Sequence, residues 1–229
     1  LFDRALAASG MLVLALDFRM APAQRWPVSL EDLRAGMRFV RTHAARLGAL
    51  VDPIGLIGRS SGGHLVLWAA LCPGSSEASA AYALPLWPIA DPLARYRYAK
   101  ARIGEAPAPG RDRFFEPERL VRAQDEYFGD EAAMHDASVP RLLDDGVFER
   151  LPPLWVAHPE RDENVTLAMT QDWVTKYRAR GGSALLEVFA GVGHSFANFP
   201  GEATERCIAQ MRAFIARQLA PYGVALAAS

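Results

Sequence analysis

The sequence predicts an α/β fold with a mostly parallel sheet and helices on both faces of that sheet. Short apolar runs alternate with longer helical patterns along most of the 229 residues, which is the order that βα units produce. Most of the short runs are continuously apolar, as strands covered on both faces of a parallel sheet are. Glycines stand where several of the helical patterns stop, a position that favours glycine.

Five strands and five helices follow from these patterns, in chain order. The predicted strands are Leu12–Asp17, Ile54–Gly58, Tyr82–Trp87, Leu154–His158 and Leu185–Phe189. The predicted helices are Phe2–Ala8, Ser29–Leu47, Gly63–Leu71, Val165–Arg180 and Glu202–Leu219, with Gly10, Gly48 and Gly181 just beyond the first, second and fourth. The result is a single domain over residues 1–229.

The alternation breaks down between residues 88 and 153. This stretch holds a Gly/Pro-rich turn at Gly104–Gly110 and two short helical candidates, Pro117–Phe128 and Val139–Asp145. An insertion of this length between two core strands predicts a lid or substrate-binding element. Its aromatic side chains either line an acyl pocket or hold the insertion onto the body, and for any one of them we favour the second: Tyr96, Tyr98, Phe114, Phe115, Tyr127 and Phe128.

Composition excludes several classes of partner. The net charge is −1 and the basic residues are scattered, so neither nucleic acid nor an anionic membrane surface is indicated. The longest apolar run, Met11–Leu16, is too short to span a bilayer. The two cysteines, Cys72 and Cys207, lie far apart without zinc-type spacing and are interpreted as buried thiols. Because the chain starts at Leu1, a signal peptide would not be visible; we favour the cytoplasm as its location.

The pentapeptide Gly58–Gly62 reads G-x-S-x-G and lies between a predicted strand and a predicted helix. This context predicts a nucleophile elbow, in which glycines two residues either side of a serine leave room for a strained turn. The serine is Ser60, because Ser61 would have the bulky Arg59 at the corresponding position. A plain Gly/Ser turn is the alternative. A phosphate loop is disfavoured, since no Gly-Lys-Ser/Thr or G-x-G-x-x-G is present.

A serine hydroxyl needs a neighbouring base and a group that orients the base. Catalytic groups of parallel sheets gather in the loops after the carboxyl ends of strands. The loop after Leu185–Phe189 carries His194, and the loop after Leu154–His158 carries three carboxylates. Among these we choose Asp162, a few residues past the strand end, over Glu160 and Glu163.

The remaining histidines fit the role of base less well. His43 lies in a helix among arginines, His64 follows Ser60 by one helical turn and is expected to pack or cap, and His135 lies in the insertion. His158 ends a strand and is expected to support the acid loop. A structural role for His194 is the alternative to catalysis. With no H-E-x-x-H spacing, we predict no metal site and no cofactor.

Four ordered motifs resemble those of α/β-hydrolase carboxylesterases of the hormone-sensitive-lipase and bifunctional feruloyl/acetyl esterase type. Asp17–Pro22 resembles D-Y-R-L-A-P, Gly58–Leu65 resembles G-x-S-x-G-G-H-L, Asp162–Val165 resembles the acid loop, and Gly193–Phe196 resembles G-H-x-F. The resemblance covers essentially the whole chain. It implies an α/β-hydrolase fold with a lid-like insertion.

The same resemblance implies roles for individual residues: Ser60 as nucleophile, His194 as base, Asp162 as orienting acid and the Ser61 amide as an oxyanion donor. It implies hydrolysis of a small-molecule ester, with short acyl or aryl groups, through an acyl-enzyme. The residues that we assign to substrate binding are Arg59, Trp87, Pro88, Val165 and Phe196. An arylformamidase, an acetylxylan or feruloyl esterase, and a non-catalytic hydrolase-fold binding protein remain as alternatives.

One departure from the family pattern stands out. The family's oxyanion loop, H-G-G-G or H-G-G-x-W, precedes the helix that corresponds to Phe2–Ala8, and these 229 residues contain no such motif. The first strands of the fold are expected to be missing with it, including an interior one beside Leu12–Asp17. We therefore expect the sequence to be the C-terminal part of a longer polypeptide, or another copy of the chain or a rearranged pairing to fill the gap.

Overall fold

The computed structural model describes residues 1–106, 112 and 114–227, and within them a parallel sheet has the strand order β1-β2-β3-β4. The strands are β1 Gly55–Arg59, β2 Tyr82–Leu86, β3 Leu154–Pro159 and β4 Ala184–Phe189. Each of them overlaps a predicted strand and differs from it by one residue at most at either end. The register pairs Arg59 with Leu86 and Pro159 with Phe189, so the carboxyl ends of all four strands meet at one edge of the sheet.

The helices alternate with these strands as predicted. They are α1 Phe2–Ala7, α2 Val28–His43, α3 Ser61–Leu71, α4 Pro92–Lys100, α5 Pro117–Phe128, α6 Glu131–Asp136, α7 Val139–Asp145, α8 Leu167–Ala179 and α9 Glu202–Leu219. Short 3₁₀ turns lie at Ala45–Leu47, Ser76–Ala78, Phe196–Asn198 and Ala220–Tyr222. In the described ranges, no helix combines the length and the apolar character that a bilayer crossing requires.

The core has two layers, one on each face of the sheet. Successive side chains of a strand point to opposite faces, and along β3 Leu154 and Val156 join one buried cluster while Trp155 and Ala157 join the other. The first cluster is completed by apolar residues of α2, α3, α7 and α8, and the second by residues of α1 and α9. Helices therefore cover both faces, as the sequence predicts.

The predicted strand Leu12–Asp17 is wrong for the described structure. This segment has no regular secondary structure, and β1 forms the edge of the described sheet. Side-chain packing holds the segment in place instead. Met11 and Val13 pack against the core layer that contains α9, and Phe18 packs against the layer that contains α2 and α3. An apolar run predicts burial of side chains, whereas a strand requires a hydrogen-bonded neighbour, which the local sequence does not reveal.

The region between residues 88 and 153 holds α4 to α7, and both short helices predicted there are present with the predicted bounds. Tyr96 and Phe128 are buried in one cluster of this region, and Phe115 is buried in a second. Phe128 also packs against Trp26 and His64, which lie outside the insertion, in agreement with the interpretation that we favour for that residue. The predicted turn Gly104–Gly110 extends into residues 107–110, which lie outside the described part. A role as a lid stays a prediction.

Candidate active site

The turn between β1 and α3 carries Ser60 in a strained conformation. Its φ is 53° and its ψ is −115°, a region that residues with a Cβ rarely adopt. The two glycines of the pentapeptide differ in what they contribute. A Cβ on Gly58 would lie 2.2 Å from the carbonyl oxygen of Gly62, whereas a Cβ on Gly62 would have no neighbour within 4 Å.

The turn therefore needs space at Gly58, as predicted, but not at Gly62, where the prediction is wrong. The second crowded position is Gly63, where a Cβ would lie 2.9 Å from Cβ of Pro88. Close approach of α3 to the loop after β2 requires a glycine there. The sequence contains this signal as the second glycine of the pair Gly62 and Gly63.

Three of the predicted residues meet at the carboxyl edge of the sheet. Oγ of Ser60 lies 3.1 Å from Nε2 of His194, and Nδ1 of His194 lies 2.8 Å from Oδ2 of Asp162. The other oxygen of Asp162, Oδ1, accepts hydrogen bonds of 2.8 Å from the amides of Asn164 and Val165. His194 and Asp162 are both buried. With Oδ1 occupied by two amides, Oδ2 is the oxygen that faces the imidazole and fixes its orientation.

Cross-links join the loop that carries Asp162 to the loop that carries His194. The Glu160 amide donates to the carbonyl of Phe189, and the Arg161 amide donates to the carbonyl of Val192, each at 2.9 Å. The Glu160 carboxylate accepts from the Gly191 amide at 2.8 Å. Glu160, a competitor for the role of acid in the sequence, thus serves to connect the two loops.

The histidine loop has a further contact that the sequence analysis misses. The His194 amide donates to Oδ2 of Asp112 at 2.6 Å. A Cβ on the preceding residue, Gly193, would lie 2.9 Å from the same oxygen, so the glycine allows the carboxylate to approach. Asp112 is 82 positions away in the chain, and no local pattern links it to the histidine.

Ser61, the predicted oxyanion donor, is the first residue of α3. An amide in the first turn of a helix has no acceptor within the helix, and the positive end of the helix dipole adds to its attraction for an anion. It directly follows Ser60 in the chain. Its position suits a donor to an oxygen that becomes negative beside Ser60.

The five residues assigned to substrate binding all lie near the triad, but their described contacts are with protein groups. Arg59 donates to Oδ1 of Asn198 at 2.5 Å, and Val165 is buried and donates its amide to Asp162. Trp87 is fully buried, at 6.3 Å from His194 and 5.2 Å from Phe196 between ring centroids. Pro88 packs against Gly63. Substrate binding by these residues stays a prediction.

Two other histidines are buried, in the neutral form. His64 Nε2 lies 2.8 Å from the carbonyl of Ala137, in agreement with a packing role, and burial lowers its pKa to about 4. His158 Nδ1 lies 3.0 Å from Oγ1 of Thr170, and burial lowers its pKa to about 4, partly offset by the negative charge of Asp162. Across the described residues, no group of three or more His, Cys, Asp or Glu side chains is arranged to hold a metal ion.

The acid loop also contacts a buried cation that the sequence analysis does not assign to the site. Arg95 of α4 is only 5% exposed and hydrogen-bonds to Asn164 and Gln124. Burial lowers the pKa of its guanidinium to about 10, so the group is charged at neutral pH. The sequence contains Arg95 in a conspicuous Arg-Tyr-Arg-Tyr run, but it gives no sign that this run reaches a loop 69 residues away.

Known proteins resemble this chain in sequence over most of its length. Residues 1–198 match the protein family described as alpha/beta hydrolase fold. Esterase LipC of Mycobacterium tuberculosis is 27% identical over 201 residues, which are 87% of this chain and 48% of LipC. A probable carboxylic ester hydrolase of the same organism, LipM, is 35% identical over 68 residues, 30% of this chain and 16% of LipM. The chain therefore spans about half the length of LipC.

Solved structures of esterases superpose on the fold. EstE1, a thermostable carboxylesterase from a metagenomic library, is 25% identical with a TM-score of 0.75. The match covers 94% of this chain and 72% of the EstE1 chain. The Pyrobaculum calidifontis esterase is 23% identical with a TM-score of 0.68, covers 92% of this chain and 67% of its own, and supports the fold alone. The resemblance indicated by the four motifs is confirmed: the chain belongs to the α/β-hydrolase fold family.

Proposed function

We propose that the protein hydrolyses carboxylic esters, with Ser60 as the nucleophile. The observation that carries the proposal is the continuous hydrogen-bonded chain from Ser60 through His194 to Asp162, with distances of 3.1 and 2.8 Å. A serine on a strained turn, a base in reach of its hydroxyl and a buried carboxylate behind the base are the parts that acyl transfer requires. Relatives named as esterases support the same reaction.

The reaction begins when Nε2 of His194 takes the proton of Ser60, whose Oγ attacks the ester carbonyl. The carbonyl oxygen becomes negative, and the amide of Ser61 is placed to donate to it. The imidazolium then gives its proton to the leaving alcohol, which departs and leaves an acyl group on Ser60. Asp162 stabilises the charged imidazole while it carries the proton.

Deacylation repeats these steps with water in place of the serine hydroxyl. His194 takes a proton from the water, the hydroxide attacks the acyl carbonyl, and the proton returns to Oγ as the acid leaves. The histidine must be neutral at the start of both halves. Its Nδ1–H bond to the buried Asp162 holds the tautomer in which Nε2 is free to accept.

We assign the substrate to esters with short acyl or aryl groups. The aromatic residues Tyr96, Phe115 and Phe128 of the insertion are buried in packed clusters, so they do not provide an extended apolar channel for a long chain. One aromatic residue of the insertion lies near the base: the ring centroid of Phe114 is 6.4 Å from that of His194. A small apolar or flat group suits this surrounding.

The test uses the full-length natural polypeptide that carries this sequence, with p-nitrophenyl acetate and butyrate as substrates. Ser60→Ala removes the nucleophile, and we expect kcat/KM to fall by about 10³-fold or more. The matched control is Ser61→Ala, which keeps the backbone amide, and we expect it to retain activity within a few-fold. A fluorophosphonate probe should label the natural protein and the control but not Ser60→Ala.

Two results would contradict the proposal. One is full esterase activity in Ser60→Ala, which would move the chemistry to another residue. The other is a folded natural protein that neither hydrolyses these esters nor reacts with the probe, which would favour a binding protein that keeps the hydrolase fold.

A further inference from the structure

Helix α4 buries a positive charge within the insertion. The side chain of Arg95 is 5% exposed, yet in the described parts of the chain its hydrogen-bond acceptors are all neutral groups. Buried arginines are generally paired with a carboxylate, because an isolated charge is costly to remove from water.

Most of its hydrogen bonds go to one residue of the acid loop. Nε of Arg95 donates to the side-chain oxygen of Asn164 at 2.9 Å and to its carbonyl at 3.2 Å, and Nη2 donates to the same side-chain oxygen. The planar fork of a guanidinium suits this two-point grip, which a lysine ammonium does not reproduce. Asn164 is thus held through both its backbone and its side chain.

Asn164 in turn holds the carboxylate of the triad. Its amide donates to Oδ1 of Asp162 at 2.8 Å, and the next amide, that of Val165, donates to the same oxygen at 2.8 Å. The side-chain nitrogen of Asn164 donates to the carbonyl of Phe114 at 3.3 Å. A shift of Asn164 would move both amide donors and free Asp162 to turn away from His194.

The guanidinium is braced from its other side. Its Nη1 donates to Oε1 of Gln124 at 2.9 Å, and Nε2 of Gln124 donates to the carbonyl of Pro92 at 2.7 Å. Gln124 lies on α5 and Pro92 opens α4, so two helices of the insertion fix the guanidinium. The charges that act on it are Asp162, which favours its charged form, and Arg119, which opposes it.

We propose that Arg95 is a positioning residue for the triad: it fixes Asn164, so that the amides of the acid loop hold Asp162 against His194, and its charge complements that carboxylate. The inference rests on the proposed ester hydrolysis. In this role, α4 and α5 of the insertion hold the acid loop that follows β3.

The experiment measures kcat and KM for p-nitrophenyl butyrate in the full-length natural polypeptide. Arg95→Met keeps the apolar stem and removes the charge and the fork. We expect kcat to fall by about 10- to 100-fold with KM within about threefold, because Arg95 is buried and its hydrogen bonds go to Asn164 and Gln124. Arg95→Lys keeps the charge and should recover part of the kcat. The matched control is Arg97→Met on the same helix. Arg97 is exposed and pairs with Glu131 at 2.7 Å, so this change should leave kcat unchanged.

If Arg95 acts through Asn164, changes at the two residues should not have independent effects. We expect Asn164→Ala to lower kcat by about tenfold, and the double variant Arg95→Lys with Asn164→Ala to lose no more than the larger single loss, because both changes break one chain of contacts. This pair decides the question if Arg95→Met does not fold, as judged by thermal unfolding.

The proposal is overturned if folded Arg95→Met retains the natural kcat, or if the losses of the double variant are the product of the single ones. Either result leaves the proposed function intact, provided that the natural protein hydrolyses the ester. If the natural protein shows neither hydrolysis nor fluorophosphonate labelling, the proposed function has failed and the role of Arg95 in it fails as well.

Discussion

The two sides of the candidate active site are built differently. The nucleophile side follows β1, which is the edge of the described sheet and has exposed residues, with Ile57 at 38% exposure. The acid side follows β3, an interior strand that is buried along its whole length. A crowded, strained turn positions Ser60, and its backbone is hydrogen-bonded to Leu86 and Ile89, whereas hydrogen bonds to its own carboxylate position Asp162. On one side steric crowding shapes the backbone, and on the other side polar pairing holds the side chain.

The largest expected effect breaks the acid side. In Asp162→Asn only one side-chain oxygen remains, and it accepts the hydrogen bonds from the amides of Asn164 and Val165. The new NH₂ group therefore faces Nδ1 of His194. That arrangement forces the proton onto Nε2, where it blocks the acceptance of the serine proton. We expect kcat to fall by about 10³- to 10⁴-fold, measured with p-nitrophenyl butyrate.

Glu163→Gln is the control for this variant, because the sequence also offers Glu163 as an acid, and it should stay within about fivefold of the natural kcat. A larger loss in Glu163→Gln than in Asp162→Asn would exchange the two roles.

The second effect breaks the nucleophile side. Gly58→Ala places a Cβ about 2 Å from the carbonyl oxygen of Gly62, and the backbone must shift to accept it. We expect a loss of about 3 kcal/mol in the free energy of unfolding, together with a fall in kcat of at least about 100-fold. Urea unfolding and ester hydrolysis measure the two losses.

Gly62→Ala is the matched control, since its Cβ would meet no atom within 4 Å. Because alanine favours a helix over glycine by about 0.5–1 kcal/mol, this change should be neutral or stabilising. Equal damage from both substitutions would show that the crowding at Gly58 is not what shapes the turn.

Acid conditions should lower the free energy of unfolding through one buried histidine on each side of the site. His64 lies on α3, behind the serine, and His158 ends β3, and burial lowers the pKa of each from 6.5 to about 4. Between these values the unfolded chain binds protons that the folded chain does not, so the free energy of unfolding falls as the pH drops from 6.5 to 4 and is constant above 6.5 with respect to these groups. Each shift corresponds to about 3 kcal/mol.

Urea unfolding at pH 7 and at pH 4.5 checks this expectation in the natural protein and in His64→Gln. The variant should lose less stability between the two pH values than the natural protein does. An unchanged dependence would mean that the charge of His64 is accommodated in the folded state.

The smallest expected effect comes from a change that weakens the support of the histidine loop. Asp112→Ala removes the acceptor of the His194 amide, while the bonds of Glu160 and Arg161 to the same loop remain. We expect kcat to fall by about three- to tenfold, with little change in KM, in the ester assay. A loss as large as that of Asp162→Asn would mean that Asp112 is the main support of the base.

Local patterns suffice for much of this site because its three central residues follow strands. The runs before Ser60, Asp162 and His194 are recognisable as buried strands, and parallel strands bring their carboxyl ends to one edge. The glycines around the serine and the order of the three residues then complete the prediction. Each step depends on a window of only a few residues.

The parts that could not be predicted are those that depend on distant segments. The run Leu12–Asp17 is apolar, but whether it becomes a strand depends on a hydrogen-bonded neighbour, which its own pattern does not specify. Arg95 and Asp112 reach the acid and histidine loops across 69 and 82 positions. Charged residues in an irregular insertion carry no periodic signal of burial, so neither contact is visible in a single sequence.

The cross-links between the acid and histidine loops determine which distance in the triad can vary. Glu160 and Arg161 are hydrogen-bonded to residues 189, 191 and 192, so the loops that carry Asp162 and His194 are tied to each other. We therefore expect any displacement at this edge of the sheet to change the separation of His194 from Ser60 more than that of His194 from Asp162. In that case the imidazole keeps its orientation, and only its distance to the serine hydroxyl varies.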